Sequence, residues 1–308
     1  GCNPCCEIAL APYQFCNLTE VNVSDVKSQV DLNERVAAAA FIGTLQATYT
    51  DFHYLRQCWK DSTENEFLIG VGLTGIGSGK VLGFDLKRAA EVVKGVNGNL
   101  ALVTGIKAAA RTTCVKPSGS TSCVLGTSSG IHAWHNDYYI RRMRFNRDEA
   151  VASYLKDEVP DLVENDLHSS GVVVSIPIKA PSNSILRTEP TISLLNRIKK
   201  VYDQWVAPGH RSGENTNNIS ATLSVREEEW DEVIDWMWNN RNSYNGIAVL
   251  AYDGGFYEQA PFEDCSKDEY EDLLNLVSDV NLDHVIESQD NTDLKGEVAC
   301  AGGVCEII

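Results

Sequence analysis

Three short clusters in this sequence have the composition of reactive sites. The first is Asn3-Pro4-Cys5-Cys6-Glu7. In an extended segment, residues two apart point the same way. Asn3, Cys5 and Glu7 are therefore expected to share one face: an amide, a thiol and a carboxylate, suited to redox or proton-transfer work on a polar ligand. Cys16 follows beyond a turn that Pro12 sets, at an odd offset that breaks strand parity, so its sulfur meets that of Cys5 only if the chain folds back. The second cluster is Lys116-Pro117-Ser118-Gly119-Ser120-Thr121-Ser122, between the apolar Cys114-Val115 and a stretch bearing Gly126, Ser128 and Ser129. Small hydroxyl residues and a glycine let backbone N–H groups approach a phosphate. No Gly-Lys-Ser/Thr closes it, so it is not a Walker A loop, and a solvated turn has the same composition. The third is Cys300-Ala301-Gly302-Gly303-Val304-Cys305. Two glycines make so short a ring easy to close, and a mobile dithiol suits thiol–disulfide exchange. A frayed terminus with incidental cysteines is the plain alternative.

Other residue types carry less. Cys2, Cys5, Cys6 and Cys16 include the Cys-x-x-Cys spacing of a zinc or iron–sulfur site, but no second such pair matches it, and buried inert cysteines are common. The six histidines show no His-Glu-x-x-His pattern and read as ordinary surface or core residues. Arg141, Arg142, Arg144 and Arg147 read as a solvated helix face that could meet an anion. The segment from Tyr252 to Pro261 is a glycine-rich turn lining a pocket or a plain loop.

Apolar periodicity supplies the elements that must position these groups. A helix is expected over 32–60, from Val36, Ala39, Ala40, Ile42, Leu45 and Tyr49. Residues 68–79 are glycine-rich. A helix over 85–96 is closed by Asn97-Gly98. Residues 171–179 read as a buried strand and 191–206 as an amphipathic helix. Ser224 to Glu227 fits a capping box ahead of a helix carrying Trp230 and Val233. A second apolar strand spans 246–252, and Ser266 to Glu269 is another capping box before a helix to about Asp279. Alternating strands and helices make the class α/β with parallel pairing. The polar stretch 287–299 reads as a linker to the terminal cysteine pair.

The chain has 308 residues, 43% hydrophobic, with 26 Lys and Arg against 43 Asp and Glu, a formal charge of −17. That surface repels a phosphate backbone, so broad nucleic-acid binding is not expected. No apolar run reaches the roughly 20 residues that span a bilayer, and no signal peptide is expected. Ten cysteines in a long chain without an export signal point to a cytoplasmic protein with reduced thiols. The start at Gly1, inside a motif, reads as a fragment, a processed product or one piece of a split protein.

Taken in order, Asn3-Pro4-Cys5-x-Glu7 with Cys16, Pro117 to Ser122, the Tyr252–Pro261 segment and the Cys300/Cys305 pair resemble the C-terminal half of a ribonucleotide reductase, with the adenosylcobalamin-dependent (class II) triphosphate type the most similar. The resemblance covers essentially the whole chain. It implies the C-terminal part of a ten-stranded α/β barrel over 1–286, with an active-site loop, and a flexible tail over 287–308. It implies that Cys5 becomes a thiyl radical that abstracts the ribose 3′-hydrogen, that Glu7 takes the 3′-hydroxyl proton and that Asn3 hydrogen-bonds the substrate. Cys16 would be one of the thiol pair that delivers electrons as the 2′-hydroxyl leaves as water. Pro117, Ser118, Gly119, Ser120, Thr121 and Ser122 would bind the substrate phosphates. Cys300 and Cys305 would re-reduce the active site and be reduced in turn by thioredoxin. The implied partners are a ribonucleoside triphosphate, thioredoxin or a similar dithiol, and the missing N-terminal half, with no resident metal site in this chain. Without that half no turnover is expected. The family usually has a small residue where Cys6 stands. A cysteine–metal binding module, or a reductase of another radical class, is the alternative.

Overall fold

The computed structural model of the chain describes residues 1–287 apart from positions 168, 253, 255, 256 and 279. Cys300 and Cys305 lie outside the described residues, as do His168 and part of the Tyr252–Pro261 segment. The chain divides into two compact units.

The first unit comprises 1–133 and 183–252. Its centre is a parallel sheet of β1 (Asn17–Asn22), β2 (Ile69–Thr74) and β3 (Thr113–Cys114), with β2 in the middle. α1 (Gln29–Ala47) and α2 (Gln57–Glu66) connect β1 to β2, and α3 (Leu86–Thr104) connects β2 to β3. Strand alternation divides the sheet's side chains between two layers. Val21, Val71, Leu73 and Val115 face α1 and α3, joining Val36, Ala40, Ala90 and Val93 in the main core. The other face carries a small separate cluster of Ile8, Leu68, Ala110 and Cys114, with Leu10, Cys16 and Leu18 packed on it. α4 (Gly119–Leu125), α6 (Thr191–Val201), a two-stranded parallel pair of β7 (Thr222–Val225) and β8 (Ala248–Ala251), and α7 (Trp230–Asn239) complete the unit.

The second unit holds an antiparallel sheet in the order β5 (Val163–Asn165), β6 (Val172–Lys179), β4 (Tyr138–Phe145), β9 (Phe262–Asp264), with α5 (Ala150–Glu158) and α8 (Lys267–Ser278). Parallel pairing therefore holds in the first unit only.

Several expectations are met. Ser266 caps α8 reciprocally: Glu269 N–H donates to its Oγ, and Glu269 Oε2 accepts from Ser266 N–H. The strand at 171–179 is β6, and the helix at 191–206 is α6 continued by a wide turn over Tyr202–Val206. Others are corrected. The single helix expected over 32–60 is two, α1 and α2, broken between Thr48 and Arg56. The helix that Asn97-Gly98 was expected to close runs on to Thr104, because Asn97 is buried and spends its side chain on Thr44 Oγ1 and Ala109 N–H. The basic run is not a helix face. Arg141, Arg142 and Arg144 lie on β4, where Arg144 reaches Asp166 at 3.4 Å and Arg141 stacks over the Phe262 ring at 4.4 Å, and Arg147 lies in the turn that follows. The capping interaction before α7 sits two residues later than read, with Arg226 N–H donating to Glu229. The strand over 246–252 is largely exposed.

Candidate active site

The first ten residues form a tight hairpin, which corrects the extended reading of 3–7. Leu10 N–H donates to Gly1 O, Cys2 bridges Ala9, and Cys6 N–H donates to Asn3 O at 2.9 Å, so Pro4 and Cys5 form the tip of a turn. Asn3 Oδ1 accepts from Ile8 N–H at 3.0 Å. Its carbonyl thus braces the turn, and the NH2 group is the part that can donate to a ligand. Cys5 is half-buried and Cys6 exposed, whereas Glu7 is wholly buried. Asn218 ties the hairpin down, its N–H donating to Glu7 O at 2.8 Å and its side-chain amide to Cys6 O at 3.3 Å.

The hairpin rests on the second face of the sheet because β2 makes room for it. Gly70 pairs with Leu18, and a methyl group at Gly70 would lie 2.6 Å from Leu18 Cδ2, 2.9 Å from Ile8 Cδ1 and 3.0 Å from Cys114 Sγ. Gly70 and Gly72 hid the strand in the sequence, since glycine weakens strand propensity. The same face carries Glu20 on β1, two pairs of residues beyond Cys16, and Lys116 just beyond β3. The chain does fold back, so Cys16 and Glu7 share an environment. Burial, then the Glu7 carboxylate, pushes the Cys16 thiol up to about 11, with Lys116 partly offsetting them. Burial holds the fully enclosed Cys114 thiol well above its ordinary value, with Glu7 and Glu20 adding to it. Neither Glu7 oxygen, nor Glu20 Oε1, has a hydrogen-bond partner among the described residues. Two carboxylates, a lysine and a protonated thiol thus line one face, with polar capacity unspent.

The sequence did not single out Glu20, and it placed Lys116 only at the head of the Pro117–Ser122 cluster, not with Glu7 and Cys16. The signal available was parity, since 16, 18 and 20 fall on one side of a strand. Burial pushes the Glu20 carboxyl up to about 7; Lys116 opposes this and Glu7 adds to it. Its folded value exceeds its unfolded one, so its contribution to stability is complete below about pH 4.5 and is lost as pH rises through 7. Urea unfolding midpoints are expected to fall between pH 5 and pH 8 by an amount worth up to about 3 kcal/mol, and Glu20→Gln should remove most of that slope.

The Pro117–Ser122 segment runs from the end of the sheet into α4. Ser118 Oγ is bonded to Thr74 Oγ1, its N–H donates to Ser129 Oγ, and Ser122 Oγ donates to Gly119 O. These hydroxyls hold the loop's shape, while Ser120 and Thr121 are exposed. Gly130, at φ +52°, sits where a side chain would collide with the Lys116 carbonyl, closing the loop at its base. His132 is neutral and structural: burial lowers it to about 4, Nδ1 faces Ser129 O, and Nε2 accepts from Thr222 N–H. Among the described residues, no three His, Cys, Asp or Glu side chains could hold a metal ion. No helix among them is long and apolar enough to cross a membrane.

No protein-family model matches the chain. Its whole length aligns with adenosylcobalamin-dependent ribonucleoside-triphosphate reductases, 26% identical in Lactobacillus acidophilus, 27% in Lactobacillus gasseri and 26% in Lactobacillus leichmannii, covering 45% of each. The chain is homologous to these reductases. It spans less than half the length of these relatives. Its fold is that of part of a B12-dependent (class II) ribonucleotide reductase, whose crystal structure superposes with a TM-score of 0.75 over 92% of this chain and 43% of that one, at 24% identity. The α/β class and the partial reductase architecture expected from the sequence therefore hold. The hairpin bearing Cys5 and the glycine-bearing face beneath it lie together within the first unit.

Proposed function

We infer that this chain is the C-terminal portion of a ribonucleotide reductase that converts ribonucleoside triphosphates to 2′-deoxyribonucleotides. The observation that carries this reading is the hairpin: it holds Cys5 at its tip and buries an unpartnered Glu7 against the face that also carries Cys16.

Each residue then has a chemical task. Cys5, as a thiyl radical, takes the ribose 3′-hydrogen and later returns it. Glu7 accepts the 3′-hydroxyl proton, with its oxygens unspent on the protein and shielded from water. Cys16 enters the reaction as a thiol, because its pKa of about 11 keeps it protonated near neutrality. It can supply hydrogen as the 2′-hydroxyl departs as water. The C2′–OH bond is replaced by C2′–H while two thiols become a disulfide; the second thiol belongs to the N-terminal half. Asn3 NH2 donates to the substrate, and the backbone over Gly119–Thr121 faces its phosphates.

Adenosylcobalamin, when bound, supplies the radical by homolysis of its cobalt–carbon bond. The residues present fit such a source: half-buried Cys5 and exposed Pro4 can be reached from outside, while Glu7 is sealed behind them. Pro4 and Cys5 are this chain's contribution to that contact. Residues 287–308, with Cys300 and Cys305, serve as the tail that re-reduces the disulfide and exchanges with thioredoxin in the cytoplasm.

The test is co-expression with the complementary N-terminal half. Deoxyribonucleotide formation is expected only with both halves and adenosylcobalamin present. Turnover by this chain alone would refute the division of labour, and stoichiometric zinc or iron in the purified chain would favour the metal-module alternative.

A further inference from the structure

The hairpin contains a second pair of thiols that the proposed reduction does not use. Cys2 and Cys6 are both exposed, and their sulfurs lie 3.2 Å apart. Cys2 lies on the first arm of the hairpin, where it bridges Ala9, and Cys6 lies in the turn that its N–H to Asn3 O bond closes. A disulfide needs the sulfurs to approach to about 2.05 Å, a further closure of about 1 Å.

The backbone at Cys6 adds a separate observation. Its φ is +60°, in the left-handed region that costs a side chain energy and that glycine adopts freely. A cysteine held in a strained conformation needs a compensating use. Its sulfur meets that of Cys2, and both residues are exposed.

We propose that Cys2 and Cys6 form a reversible disulfide across the exposed side of the hairpin, a redox-responsive clasp on the loop that carries Cys5. The step is thiol–disulfide exchange with a low-molecular-weight disulfide such as oxidised glutathione. One thiolate attacks the reagent and releases one thiol; the other thiolate then attacks the mixed disulfide and releases the second, so two protein thiols are oxidised as one reagent disulfide is reduced. The clasp stands on the hairpin geometry. Its consequence rests on the proposed function: with the bond closed, the S–H next to a Cys5 thiyl radical is no longer there to donate its hydrogen and drain the radical.

The test uses the full chain in glutathione redox buffers, with alkylation and mass analysis of the tryptic peptide Gly1–Lys27, which holds Cys2, Cys5, Cys6 and Cys16. The Cys5→Ser/Cys16→Ser double variant should lose two mass units and both alkylatable thiols, at least ten times faster than Cys2→Ser/Cys6→Ser. Cys6→Gly, which relieves the backbone strain, should fold and fail to close the bond. Two alkylatable thiols persisting in Cys5→Ser/Cys16→Ser under oxidising buffer, or equal rates in the two double variants, would overturn the clasp. Neither readout needs turnover, so an inactive reconstituted enzyme with a closing clasp would count against the reductase reading alone.

Discussion

Cys5→Ser is expected to cut deoxyribonucleotide formation by the reconstituted enzyme at least about a thousandfold, the equivalent of about 4 kcal/mol of transition-state stabilisation. The hydroxyl has the size and polarity to sit in the turn, but an O–H bond is too strong to yield its hydrogen, so no equivalent radical forms. Cys5 is only half-buried and the turn is held by backbone bonds and Asn3 Oδ1. The folded stability should therefore change by less than about 0.5 kcal/mol, as for a mild surface substitution. Activity lost with the unfolding midpoint unchanged separates a chemical role from a structural one. Retention of more than a few per cent of turnover would remove Cys5 from the reaction.

Glu7→Gln has a double signature. Reduction should fall by about 10²–10⁴-fold, the usual contribution of a positioned acid or base. Stability near neutral pH should rise by about 1 kcal/mol, because a buried carboxylate with neither oxygen paired is replaced by a neutral amide. A third readout follows from the Cys16 thiol, which the Glu7 carboxylate helps to hold near 11. In the variant its alkylation rate should begin to rise at lower pH, since the thiolate is the reactive form. Opposite signs for activity and stability mark a residue kept for chemistry at the expense of the fold. A loss of both would make Glu7 structural.

Local rules that depend on a few neighbouring residues were legible in the sequence. The Ser266–Glu269 capping box and the apolar run of β6 are examples, since the residues themselves make the bonds or the burial that define the element. What escaped depends on partners far along the chain. β2 is the central strand of its sheet, yet its pattern is broken by Gly70 and Gly72, whose missing side chains become meaningful only when Ile8 and Leu18 pack at Gly70 and Glu20 lies against Gly72. The charges of β4 suggested solvent, but Arg144 and Arg141 are met by Asp166 and Phe262, which are distant in sequence. Asn97 stays in mid-helix because Thr44 and Ala109 use its amide. In the site, the residue types at 3, 5, 7 and 16 were visible, and the turn that arranges them was not. Cys6 at positive φ, with Asn218 holding it from below, replaces the extended strand that two-residue alternation suggested.

The central claim is that the sulfur of Cys5 takes hydrogen from the sugar carbon. Substrate deuterated at the 3′ carbon, given to the reconstituted enzyme, tests it most directly. The account predicts slower reduction of the heavy substrate, with most of the deuterium still on C3′ of the deoxyribonucleotide, because the same sulfur returns what it removed. Equal rates for light and heavy substrate, with deuterium washed into solvent, would contradict it.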